Sequence, residues 1–149
     1  MLFRSRKAYP CAHISLLVKP WVSEIFKENP DIDEIILYED TYKSILGKLK
    51  LAEILRQKKF ICSILLQNAF DAVFVTWLAK IPVRIGYASD MRRILLTEAL
   101  PVHNSIHQQH QVFYYLNLIK SAGIETAESQ PYLCLSDDER KQEIGRAHV

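Results

Sequence analysis

The sequence predicts an α/β fold, with a mostly parallel sheet and helices on both of its faces. Short β-branched and aliphatic runs alternate with longer amphipathic stretches along the chain. The most apolar run, "FICSILL", has no polar alternation, as suits a strand covered on both faces of a parallel sheet. The resulting order, β-α-β-α-β-α-β-(β)-α, with right-handed crossovers sets helices on either side.

The first predicted strand is "AHISLLV", residues 12–18, and Pro20 ends it. "WVSEIFKEN" follows with Trp21, Ile25 and Phe26 at helical spacing, and Asn29-Pro30 closes that helix. "DEIILYE" is the second strand, centred on Ile35, Ile36 and Leu37. "YKSILGKLKLAEILRQKK" places Ile45, Leu49, Ala52 and Leu55 on one helical face, with lysines elsewhere. Gly47 costs that helix up to ~1 kcal/mol. "FICSILL", residues 60–66, is the central strand. In "FDAVFVTWLAKI", Phe70, Val73, Phe74 and Trp77 recur at helical spacing, and the helix stops before Pro82. "VRIGY" is a short strand and "ILLTEALPV" another, bounded by Pro101. "HQQHQVFYYLNLIKSAG" sets Val112, Phe113, Leu116 and Ile119 on one stripe, with Gly123 as C-cap.

At 149 residues, with 49% hydrophobic and 24% charged, the composition is that of one ordinary globular domain or a piece of a larger protein. A formal charge of +2 gives no ground for nucleic-acid binding. The longest apolar stretch, residues 72–79, falls well short of the ~20 residues that span a bilayer. No signal peptide is expected. Cys11, Cys62 and Cys134 lie far apart, outside any C-x-x-C pair, and are expected to be reduced core or near-core thiols. The two ends, "MLFRS" at 1–5 and "EIGRAHV" at 143–149, match translated sequencing adapters. They are expected to be appended, leaving residues 6–142 as the domain proper.

Ligands of open parallel sheets sit beyond the carboxyl ends of the strands, so the strand-to-helix junctions are the places to search. At the third junction, "LLQNAF", two amides interrupt an apolar run. Asn68 suits a helix N-cap. Gln67 and Asn68 together suit contact with a hydroxylated or phosphorylated ligand. In "RIGYASDMRRILLT", Arg84, Arg92 and Arg93 surround a loop, and Gly86 permits a tight bend or a close approach. Adjacent arginines suit bidentate capture of carboxylate or phosphate, or else are solvated or paired with Asp90 and Glu98. His103, His107 and His110 lie close together, but no H-E-x-x-H or nearby acidic ligand supports a metal site. Lys43, Lys48, Lys50, Lys58 and Lys59 form a solvated face, which can also lie against an anionic lipid surface. There is no G-x-G-x-x-G and no Walker A sequence. The carboxylates of "NPDIDE" and "SDDERKQE" read as loop and cap chemistry.

Several pieces in order resemble the ADP-heptose:lipopolysaccharide heptosyltransferases of glycosyltransferase family 9. They are Gln67-Asn68-Ala69-Phe70 after a central strand, Ile81-Pro82-Val83-Arg84-Ile85-Gly86, Met91-Arg92-Arg93, and Leu95-Leu96-Thr97. "AYPCAHISLLVKPWVSEIFKENPDIDEII" is similar to the stretch that follows the family's first helix, so the resemblance covers nearly all of residues 6–142. It implies a GT-B fold of two Rossmann-like domains. The N-terminal domain would hold the lipid A–inner core acceptor and the C-terminal domain the ADP-heptose donor. Transfer would invert the anomeric centre, with a carboxylate as general base, and with no metal and no cofactor. The resemblance places this chain as an incomplete N-terminal half. The family's first strand and its base-bearing Gly-Asp motif would lie upstream of Arg6, and the donor domain downstream.

No catalytic residue is therefore expected within the chain, which alone would be inactive, and a missing strand would leave sheet edges unpaired. Gln67, Asn68, Arg84, Arg92 and Arg93 are the acceptor-binding candidates. The resemblance also implies a cytoplasmic location, peripheral at the inner face of the bacterial inner membrane. The alternatives are another family member with a different acceptor, or a non-catalytic α/β binding module.

Overall fold

The computed structural model describes residues 2–89, 91–101 and 111–123. Two compact units are present, Leu2–Glu39 and the described part of Asp40–Thr126.

In the first unit, α1 (Leu2–Ala8) precedes β1 (Ser15–Val18). Next come α2 (Pro20–Ser23), which runs on as a 3-10 turn at Glu24–Phe26, and β2 (Glu34–Leu37). Pro20 opens α2 at a position where a missing N–H costs no helical bond. The helix expected over residues 21–29 is thus one short turn that tightens at Glu24. β1 and β2 pair in parallel, from Ser15 opposite Glu34 to Val18 opposite Leu37.

Arg6 ties this unit together. Its Nη1 donates to the Ala12 carbonyl at 2.7 Å, and its Nη2 to Asp33 Oδ2 at 2.6 Å. The same carboxylate oxygen accepts from the Ile14 amide at 2.6 Å. The Ile14 bond first, and the Arg6 bond second, hold the Asp33 carboxyl below its ordinary value. A depressed native value means that the unfolded chain binds more protons in the acid range. Asp33 therefore contributes stability in full above about pH 4, and that contribution fades as pH falls through the lowered native value. Acid titration of Asp33→Asn is expected to remove this part of the pH dependence, read as a flatter stability profile below about pH 4.

The second unit begins with a 3-10 turn at Asp40–Lys43 and α3 (Ile45–Gln57). It continues through β3 (Cys62–Leu65), α4 (Phe70–Leu78) and β4 (Val83–Tyr87). A 3-10 turn at Arg92–Ile94 leads to β5 (Glu98–Leu100), and α5 is Gln111–Ser121. Ser44 caps α3, its hydroxyl accepting from the Gly47 amide at 3.0 Å. β3, β4 and β5 form a parallel sheet in that order, with Ile64 opposite Ile85 and Gly86 opposite Ala99. Alternation along the strands builds two cores. Leu65 and Leu96 pack with Val73 of α4. Ile85 and Tyr87 pack with Leu118 of α5. Helices thus cover both faces of this sheet, as the sequence predicted. Among the described strands, the ladders make two separate parallel sheets, one in each unit.

Several helical faces differ from expectation. α3 buries Leu51, Ala52 and Leu55, while Ile45 and Leu49 are exposed. Lys48 lies towards this inner stripe, its Nζ 2.7 Å from Asp71 Oδ1, so it is not part of a freely solvated face. α4 buries Val73, Val75 and Thr76. Phe70 and Trp77 stay half outside and stack on Phe74 at 6.0 and 6.2 Å. The sheet accepts the smaller residues, and the aromatics cover one another. α5 buries Leu118 and Ile119, and Gly123 follows it at φ +78°, the left-handed geometry of a C-terminal glycine. The strand expected over residues 94–102 is reduced to β5, because the chain turns as a 3-10 helix at Arg92–Ile94.

Cys11 and Cys62 are exposed and not core thiols, since one lies in the turn after α1 and the other opens β3. Partial burial of its sulphur, and secondarily the Glu98 carboxylate, push the Cys62 thiol up. It is therefore not an activated nucleophile. Cys134, His103, His107, His110, Asp90 and residues 124–149 lie outside the described residues.

Candidate functional site

β3 ends at Leu65 and α4 starts at Phe70, so Gln67 and Asn68 occupy the turn beyond the carboxyl end of the strand. Ala69, not Asn68, is the N-cap residue of α4, and no side chain caps that helix. The Asn68 amide is engaged elsewhere. Its Nδ2 donates to the Tyr114 hydroxyl at 2.7 Å. Its Oδ1 accepts from the Tyr114 hydroxyl at 3.0 Å and from Arg92 Nη1 at 3.2 Å.

These two partners reach Asn68 from opposite faces of the sheet. Arg92 comes from the face shared with α4 and is fully buried. It lies over Gly86, where an added Cβ would stand 3.3 Å from Arg92 Nη2 and 3.1 Å from Leu96 Cδ2. The close approach at Gly86 is therefore that of a guanidinium to the strand. Tyr114 comes from the face covered by α5. Its ring stacks on Tyr87 at 4.0 Å, and the Tyr87 hydroxyl donates to the Tyr114 carbonyl at 2.7 Å. Burial pushes both phenols up, while the Asn68 bond and the Arg92 charge pull Tyr114 partly back. Both tyrosines therefore stay neutral near pH 7 and can donate hydrogen bonds.

The structure brings Asn68 and Arg92 together, leaves Gln67 exposed in the same turn as Asn68, and places Arg84 and Arg93 apart from them. Arg84 lies at the amino end of β4. Its Nε donates to the Leu95 carbonyl at 2.7 Å, and its Nη1 to the carbonyls of Ile81 and Pro82. Its amide donates to Thr97 Oγ1 at 2.7 Å. Arg84 thus braces the start of β4 against the approach to β5. Arg92 and Arg93 do not form a shared fork at this junction, because the first is buried and the second exposed. Gln67 is exposed beside Asn68. Tyr114 escaped the sequence reading. Its only signal is a tyrosine flanking an apolar helical stripe, where a buried hydroxyl requires a partner. Among the described residues, no group of three or more His, Cys, Asp or Glu gathers as a metal site.

Comparison with known proteins gives first the class. The fold matches a crystal structure described as the glycosyl transferase family 9 from Veillonella parvula, with a TM-score of 0.79 and 23% identity. The match covers 99% of this chain and 43% of that one. The architecture is thus part of a GT-B glycosyltransferase fold. The sequence pattern described as glycosyltransferase family 9 (heptosyltransferase) matches residues 48–148, and the chain belongs to that family.

Two relatives carry the name lipopolysaccharide heptosyltransferase 2. That of Salmonella typhimurium is 30% identical over 101 residues, covering 66% of this chain and 29% of the relative. That of Escherichia coli is 29% identical over 141 residues, covering 87% and 38%. The chain therefore spans about a third of the length of these relatives.

Proposed function

We propose that residues 6–142 form the acceptor-side part of an inverting heptosyltransferase of the II type. The whole protein would move heptose from ADP-heptose to the lipopolysaccharide inner core. One observation carries the acceptor assignment: an exposed amide, Asn68, stands beyond the carboxyl end of a parallel strand and is bonded from both faces of the sheet. An amide with a fixed rotamer suits a sugar hydroxyl, to which its second Nδ2 hydrogen can donate while Oδ1 stays occupied by Arg92 and Tyr114.

Gln67 joins Asn68 at the same turn, and Arg93 offers an exposed guanidinium for the carboxylates and phosphates of the inner core. Arg92 serves the same surface from within, by fixing Asn68, whereas Arg84 braces the opposite, amino end of β4. The ADP-heptose donor and the catalytic carboxylate belong to parts of the protein that this chain does not supply. The exposed lysines Lys50 of α3 and Lys58 and Lys59 just after it give a surface that suits peripheral contact with the anionic inner face of the bacterial inner membrane. No described helix is long and apolar enough to cross a membrane.

In the full-length protein that carries this sequence, Asn68→Ala is expected to raise the acceptor KM about tenfold while the ADP-heptose KM stays unchanged. An unchanged acceptor KM would remove Asn68 from the acceptor site. Preference for a different acceptor would assign the protein to another member, such as heptosyltransferase I or III. Well-folded protein with no transferase activity would favour a non-catalytic binding module.

A further inference from the structure

We propose that Tyr114 is a positioning residue, which locks the Asn68 amide from the α5 face while Arg92 locks it from the α4 face. The inference rests on the acceptor assignment of Asn68 above and adds to it a residue of distant sequence position.

Of the four side chains in this cluster, Asn68 alone is exposed. Arg92 is fully buried, Tyr87 is 2% exposed, and Tyr114 is half-buried. A saccharide arriving at the carboxyl edge of the sheet meets Asn68 and not the groups behind it. Arg92 and Tyr114 act through that amide, and their geometries divide the work. The guanidinium Nη1 bonds Oδ1 at 3.2 Å and so specifies which end of the amide carries the oxygen. The Tyr114 hydroxyl, within 2.7 Å of Nδ2 and 3.0 Å of Oδ1, closes on both amide atoms and opposes rotation of the side chain.

Tyr114 is itself held. Its ring rests on Tyr87 at 4.0 Å, and the Tyr87 hydroxyl bonds its carbonyl at 2.7 Å, so β4 fixes the first turns of α5. Holding one rotamer in the free protein removes an ordering cost from each binding event. The second unit thus carries a three-segment clamp, made by the β3–α4 turn, the 3-10 turn after β4, and α5.

The test is Tyr114→Phe in the full-length protein, since phenylalanine keeps the ring stack on Tyr87 and deletes only the hydroxyl. The acceptor KM is expected to rise about three- to tenfold, the worth of one hydrogen bond. The values of kcat and of the ADP-heptose KM are expected to stay within about twofold. In an Asn68→Ala background, Tyr114→Phe is expected to have no further effect, because the group it positions is gone. A merely structural tyrosine would instead lower kcat through lost active protein, with the acceptor KM unchanged, and would act additively with Asn68→Ala. Either result overturns the inference. Failure of the acceptor assignment itself looks different: Asn68→Ala alone would leave the acceptor KM untouched.

Discussion

Gly47→Ala is expected to destabilise the Asp40–Thr126 unit by about 2–3 kcal/mol. Intrinsic propensity predicts the opposite sign, since alanine in a helix is favoured over glycine by up to ~1 kcal/mol. The local geometry decides the matter. A Cβ at Gly47 would stand 2.0 Å from the Thr41 carbonyl oxygen and 2.7 Å from the Tyr42 Cα. Both obstacles are backbone, which cannot rotate out of the way as a side chain tip can. The 3-10 turn at Asp40–Lys43 would have to move, and with it the Ser44 cap that accepts from the Gly47 amide. Equilibrium urea unfolding measures the change. A stability gain in the alanine variant would show that the turn does not lie against α3 as described.

Arg92→Ala carries the second large effect, a loss of about 3 kcal/mol. The side chain is fully buried over Gly86, at a point that Leu65 and Leu96 also approach. Truncation opens a cavity there and takes away the Nη1 bond to Asn68. Arg92→Met fills most of the same volume without the charge, and is expected to cost under about 1.5 kcal/mol. The two variants therefore differ in stability while both release Asn68. Unfolding curves for the pair separate the packing role from the polar one. Equal losses would show that the guanidinium contacts, and not the volume, dominate at this position.

Much of the fold was legible because parallel strands and their helices leave strong patterns. "FICSILL" and "VRIGY" predict β3 and β4, and the amphipathic stretches predict α3, α4 and α5. Which helical face turns inward was less legible. On α4 the periodicity of Phe70, Phe74 and Trp77 is real, but it marks a self-stacked outer ladder. Hydrophobic spacing cannot tell a sheet-facing stripe from aromatics that bury one another. On α3, Lys48 lies near the inner stripe because Asp71 at the start of α4 receives its charge, a contact across 23 residues of sequence.

The candidate site was half legible. Its position followed from the rule that ligands gather at carboxyl strand ends, and that rule singled out Asn68. Its internal wiring did not follow. Arg92 and Arg93 are adjacent in sequence and so read as a pair, yet a 3-10 turn sends them to opposite environments. Arg84 shared their cationic character but sits at the amino end of its strand, where carbonyls of Ile81, Pro82 and Leu95 occupy it. Tyr114 lies 46 residues from its partner Asn68, and no local pattern connects them.

Heptose transfer by the full-length protein is the most direct measurement of the proposed function. With ADP-heptose and a heptosyl-Kdo₂-lipid A acceptor, the wild-type protein is expected to form the extended inner core with inversion at the anomeric centre. Asn68→Ala is expected to do so only at raised acceptor concentration. Well-folded protein that transfers no heptose to this acceptor, or wild-type and Asn68→Ala proteins with the same acceptor dependence, would contradict it.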